Sequence, residues 1–130
     1  NMAQAVGLGA ALDYLMSIGM HEVHSHEVAL TKYLIDKLQQ ISDLKIVGPT
    51  SIDSRGAAVS FTVGEIHPHD LGQYVDSQGV AVRTGHHCAW PLTRKLGVPA
   101  TTRASLYLYN EESDCDALFD AILGAQKYFA

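Results

Sequence analysis

The sequence predicts a two-layer α+β domain, an antiparallel sheet packed with helices, on three observations. Apolar residues recur at three- and four-residue spacings from Met2 to Ile41 and again beyond Asn110, the signature of amphipathic helices. Between them lie short runs with the period of two expected of half-buried strands. These runs are not separated by the strict strand–helix–strand repetition of a doubly wound parallel sheet. With 130 residues, 47% of them apolar, the chain can bury one ordinary core, so a single domain spanning 1–130 is expected.

The first helical pattern carries Val6, Leu8, Ala11, Leu12, Leu15 and Met16, and Ile18 closes its apolar face. Gly19 and Met20 mark the break, where glycine can take the positive φ that ends a helix. A second helix then runs from near His21 to about Gln40 through Val28, Leu30, Leu34 and Leu38. Leu44 to Val47, bounded by Asp43 and Gly48-Pro49, reads as a short strand, and a turn-rich link follows through Ser51, Asp53, Ser54 and Gly56. From Ala57 to Val63 a stronger strand sets Val59, Phe61 and Val63 on one face and Ala58, Ser60 and Thr62 on the other.

Pro68 suits a first helical turn, which predicts a helix over roughly His69 to Gln78, capped by Gly79. Val80 to Arg83 is expected to return as a strand, Thr84 to Trp90 to form a loop, and Leu92 to Leu96 a short helix. Thr102 to Tyr109 alternates as a strand that puts Arg103 and Ser105 on the same side. Asn110 is the expected N-cap of a closing helix whose apolar stripe is Leu118, Ile122, Ala125 and Phe129.

A net charge of −5 and scattered Lys and Arg residues give no electrostatic footprint for nucleic acid or an anionic membrane. No apolar run approaches the roughly 20 residues that span a bilayer, and no secretory signal opens the chain, so a cytoplasmic location is expected. The start at Asn1-Met2-Ala3 runs straight into an apolar pattern, and the chain is expected to be a piece of a longer protein. Two cysteines in a chain able to build its own core are expected to be thiols rather than a disulfide.

A catalytic cysteine needs its thiolate form, which nearby cations and exposed backbone N–H groups favour, and access to an electrophile. The loop Arg83-Thr84-Gly85-His86-His87-Cys88-Ala89 offers both, with Gly85 freeing the backbone and Pro91 ending the segment. A buried cysteine acting as a small apolar side chain fits the same local chemistry, which leaves the two readings open. His67, His69, His86, His87 and Cys88 make the inventory of a zinc module. Adjacent His86, His87 and Cys88 cannot easily all turn toward one ion, however, and no Cys-x-x-Cys pair exists. Arg103 could clamp a carboxylate through its bidentate fork or be a solvated strand arginine. Gly7-Leu8-Gly9 lies in a helical pattern with no strand before it, so close helix packing is read there rather than a dinucleotide loop. Cys115, among acids in the closing helix, is read as structural, and Trp90, Tyr107 and Tyr109 as packing residues.

Gly79 through Pro91, with Arg83-Thr84-Gly85-His86-His87-Cys88 at its centre, and Thr102-Arg103-Ala104-Ser105-Leu106-Tyr107-Leu108-Tyr109-Asn110 together resemble the signature of group II (SufS/CsdA-like) cysteine desulfurases of the class V aminotransferase family. Val6-Gly7-Leu8-Gly9-Ala10-Ala11-Leu12 and His67-Pro68-His69-Asp70 extend the resemblance through nearly the whole chain. The resemblance implies the small C-terminal domain of a fold-type I pyridoxal phosphate enzyme, a homodimer that converts L-cysteine to L-alanine and holds the sulfur as a persulfide for iron–sulfur cluster assembly. It makes Cys88 the nucleophile, Arg103 the grip on the substrate carboxylate and Arg83 a lining residue, with His86 and His87 supporting the loop. It implies a SufE- or SufU-like sulfur acceptor, and makes His69 a ligand to a SufU-like partner's zinc, with no metal site of this chain's own. The family's Schiff-base lysine, its pyridine aspartate and its ring-stacking histidine belong to a preceding large domain, so no cofactor-binding residue is expected here and the chain alone is expected to be inactive. An isolated persulfide carrier or acceptor-docking domain without catalysis, or a His/Cys zinc-binding module, is the alternative reading.

Overall fold

The computed structural model describes residues 1–130 except Ser54, so the part of the predicted turn that falls on Ser54 lies outside the described residues. The elements follow in the order α1 (Met2–Ile18), α2 (Met20–Leu38), β1 (Leu44–Val47), β2 (Ala58–Val63), α3 (Pro68–Ser77), β3 (Arg83–Gly85), α4 (Trp90–Lys95), β4 (Thr101–Ser105) and α5 (Glu112–Tyr128). The four strands form one antiparallel sheet in the order β1-β2-β4-β3. The two-layer α+β architecture is as expected.

Alternation decides which way the sheet faces. Val59, Phe61 and Val63 of β2 and Thr102 and Ala104 of β4 are buried, while Ala58, Ser60, Arg103 and Ser105 lie on the other side. The buried side packs with Leu34 and Leu38 of α2, Leu71 and Val75 of α3, and Leu118 and Ile122 of α5. Each such aliphatic or aromatic side chain contributes about 1.5–3 kcal/mol by leaving water, so this layer holds the domain together. Among the described residues the other face of the sheet carries no buried helical layer of this kind, as one-sided antiparallel sheets permit.

Local chemistry explains the element ends. Gly19, at φ 97°, breaks α1 from α2 while its N–H donates to the Leu15 carbonyl at 3.0 Å. Pro68 opens α3, and the His67 ring nitrogen accepts from the His69 N–H. Gly72 lets α3 approach β3: a Cβ there would lie 2.6 Å from Thr84 Cγ2.

Four expectations need correction. Val80 to Val82 are not strand, because Val80 still bonds back to Val75 after the helix; the strand begins at Arg83 and takes in Thr84 and Gly85 from the expected loop. β4 ends at Ser105, since Asn110 turns the chain by donating its backbone N–H to the Tyr107 carbonyl and accepting from the Tyr107 N–H on Oδ1. Asn110 is thus a turn residue, and Glu111 with Asp114 forms the capping box of α5. Finally, a Cβ at Gly7 or Gly9 would meet nothing within 4 Å, so close packing is not why those glycines stand in α1.

Candidate active site around Cys88

The site grows out of a single row across the sheet. Val47 pairs with Ser60, Ser60 with Arg103, and Arg103 with Arg83, so these four side chains share the open face. Two like charges directly opposite each other on neighbouring strands destabilise a sheet, and an anion between them relieves the repulsion. Arg103 Nε is buried and without a hydrogen-bond partner in the protein. A bidentate guanidinium in that state is equipped for a carboxylate.

Past β3 the chain makes a tight turn. His86 accepts from the Ala89 N–H at 2.9 Å, and the two residues between, His87 at φ 55° and Cys88 at φ 60°, are both left-handed. Positive φ at both central positions is the mark of a type I′ turn, which Asn-Gly ordinarily supplies. For residues with a Cβ the left-handed conformation costs roughly 1–2 kcal/mol each. The turn sets Cys88 outward and exposed, and Arg83 Nη2 lies 3.6 Å from its Sγ. A guanidinium against the sulfur is the partner an anionic sulfur requires.

The flanking histidines are anchored differently. His86 stacks on Trp90 with ring centroids 3.7 Å apart and planes 14° from parallel, and Arg94 lies over the same indole. Trp90 is thus an exposed stacking platform and not the packing residue expected, and Tyr109 is likewise exposed; Tyr107 alone of the three is partly buried. His87 Nε2 lies 2.8 Å from Thr101 Oγ1, while its Nδ1 is buried and unpartnered. Burial pushes the His87 imidazole below the ordinary histidine range, the nearby charges of Arg103, Arg83 and His86 push the same way, and a hydrogen bond with the Thr101 backbone opposes them.

Arg103, His86, His87, Ser60 and Thr101 line one cleft of about 550 Å3, walled on its apolar side by Val47, Leu92 and Leu96. Among the described residues no lysine lines it, so the residues present do not offer the Schiff-base amine that a pyridoxal ring requires. They fit the carboxylate end of a small substrate.

The structure brings Cys88, Arg83, Arg103, His86 and His87 together but leaves His69 apart. His69 Nδ1 bonds to Thr84 Oγ1 at 3.0 Å, and Thr84 points to the opposite face of β3 from Arg83. His67 and His69 stack on each other, and among the described residues no group of three or more His, Cys, Asp or Glu could hold a metal ion. Thr101 is the site residue that the sequence reading missed. The same period of two that put Ser105 beside Arg103 also puts Thr101 there.

Known proteins resemble this chain over nearly its whole length. The chain is 56% identical over 128 residues to a probable cysteine desulfurase of Streptomyces coelicolor, covering 98% of this chain and 31% of that protein. It is 49% identical over 129 residues to a cysteine desulfurase of Haloferax volcanii, covering 99% and 30%. Among solved structures, the apo cysteine desulfurase of Thermococcus onnurineus matches with a TM-score of 0.93 at 32% identity, over 98% of this chain and 32% of that one. The Escherichia coli cysteine desulfurase CsdA, in its S-sulfonic acid form, matches with a TM-score of 0.89 at 30% identity, over 98% and 31%. The chain thus spans about a third of the length of the relatives it matches. Residues 1–118 match the model of the family described as aminotransferase class-V, and the chain belongs to that family.

Proposed function

We propose that this chain is the small C-terminal domain of a pyridoxal phosphate-dependent cysteine desulfurase, with Cys88 as the residue that receives the sulfur. The observation that carries the reading is the exposed Cys88 Sγ, 3.6 Å from Arg83, on a turn that leaves the strand directly opposite Arg103. Arg103 binds the substrate carboxylate, and Arg83, directly opposite it on β3 though not among the residues that line the cleft, faces the sulfur. In the net reaction the carbon–sulfur bond of L-cysteine breaks and a sulfur–sulfur bond to Cys88 forms. The Cys88 thiol becomes a persulfide, the carbon takes a proton, and L-alanine leaves, with no external oxidant or reductant.

When bound, pyridoxal phosphate supplies the electron sink for this chemistry, and a larger preceding domain holds it. Helix α1 supports that arrangement. It is apolar all round yet has no buried residue, with Met2, Val6, Leu8, Leu12 and Met16 each at least half exposed. A helix hydrophobic on every side belongs inside a larger body. The full-length enzyme acts as a cytoplasmic homodimer and passes its sulfur to a SufE- or SufU-like acceptor for iron–sulfur cluster assembly. Toward a zinc-bearing SufU-like acceptor, the exposed His69 is the residue that reaches the partner's metal. No helix among the described residues is long and apolar enough to cross a membrane.

Alanine release by the full-length protein, with and without Cys88→Ser, tests the reading. The substitution is expected to abolish persulfide formation and turnover with an acceptor; unchanged turnover would overturn the assignment of Cys88. The 130-residue chain alone is expected to release no alanine from cysteine, and release by it would overturn the division of labour between the domains.

A further inference from the structure

We propose that His87 is a positioning residue: its bond to Thr101 locks the His87–Cys88 turn in its left-handed form and thereby holds Cys88 Sγ against Arg83. A left-handed pair containing neither glycine nor asparagine does not persist by its own preference, so something in the tertiary structure has to impose it. Of the two flanking histidines, His86 lies outside the left-handed pair, and its stack on Trp90 leaves the φ of His87 free. His87 is inside the pair, and its ring is tied to a fixed point. Thr101 is 3% exposed, belongs to β4, and pairs directly with Gly85, the last residue of β3, one position before the turn begins. The 2.8 Å bond between His87 Nε2 and Thr101 Oγ1 therefore closes a short loop from the end of one strand, through the turn, and back onto its neighbour.

The charged or titratable groups facing the His87 ring are Arg103 from β4, Arg83 from β3 and His86 from the turn itself. Among the described residues no carboxylate opposes them there, so the hydroxyl of Thr101 is the neutral partner that lets the ring sit among cations. When the lock is broken, the turn relaxes, and Sγ loses its fixed place beside the Arg83 guanidinium while staying in the same loop.

This inference rests on the reading of Cys88 as the reactive thiol, but its test follows the surroundings of the sulfur and not turnover. Cys88 in the full-length protein is alkylated with anionic iodoacetate and with neutral iodoacetamide, and the rates are read on the tryptic peptide Thr84–Arg94. The ratio of the two rates reports the positive charge beside the sulfur. Thr101→Val is expected to lower that ratio by roughly threefold to fivefold, the scale of one charge contact near water. Thr101→Ser restores the hydroxyl and is expected to keep the ratio; His87→Ala lowers it as Thr101→Val does, and the double variant lowers it no further. An unchanged ratio in Thr101→Val and His87→Ala, an equal fall in Thr101→Ser, or additive effects in the double variant would overturn the proposal. A thermal melt identifies any variant that has lost its fold, and the His87 and Thr101 arms are each sufficient alone. If the ratios fall as expected while Cys88→Ser leaves turnover intact, the lock stands and the desulfurase reading fails.

Discussion

Cys115 sits on α5 with 1% of its surface exposed, packed in the same core as Leu34 and Phe61, whereas Cys88 stands in solvent on a strained turn with a guanidinium beside it. Burial, with the charges of Asp114, Asp116 and Glu112, pushes the Cys115 thiol up to about 11, so it stays protonated and acts as a small apolar side chain. The two residues show that a thiol's chemistry is assigned by its surroundings. A position on a core-facing helical stripe holds the proton and denies access, and a loop at a strand end gives access and a guanidinium neighbour.

The largest expected effect separates them kinetically. In the native protein iodoacetamide should modify Cys88 at least about a hundredfold faster than Cys115, because Cys115 reacts only through opening of the core. Denaturant should remove the difference, and peptide mass spectrometry measures both sites; comparable native rates would break the comparison. Next, Cys115→Ser is expected to cost about 1–3 kcal/mol in urea unfolding, the penalty of placing a hydroxyl in an apolar site. The pH dependence of stability sharpens the same point. A thiol raised to about 11 in the folded state and near 9 when unfolded contributes stability that is complete below pH 9 and lost as pH rises through the folded value. Between pH 9 and 10 that loss amounts to about 1 kcal/mol, and a Cys115→Ala variant should lack it. Smallest of all, Cys88→Ser should change the stability by no more than about 0.5 kcal/mol, since its side chain is exposed and packs in no core.

Both faces of the sheet carry the same lesson about what a sequence reveals. Strand β2 was legible because Val59, Phe61 and Val63 alternate with Ala58, Ser60 and Thr62, and α2 and α5 because their stripes face the core, except that Phe129 lies past the end of α5 and is exposed. Helix α1 was legible as a helix, but the single apolar face expected of it is not there: its apolar residues lie on every side and none of them is buried in this domain. Strand β3 was placed three residues early, because Val80-Ala81-Val82 has strand composition while its backbone completes the turn out of α3.

By itself the sequence determined the α+β class, the order of the elements, the loop that carries Cys88 and the side of β4 that carries Arg103. All of these depend on local periodicity and on residue types within a few positions of one another. Only the tertiary structure decided that Arg83 stands opposite Arg103, that His87 reaches Thr101, and that His69 faces away from the thiol. Those relations depend on strand register and on left-handed backbone at residues other than glycine, neither of which is encoded in any short window of sequence.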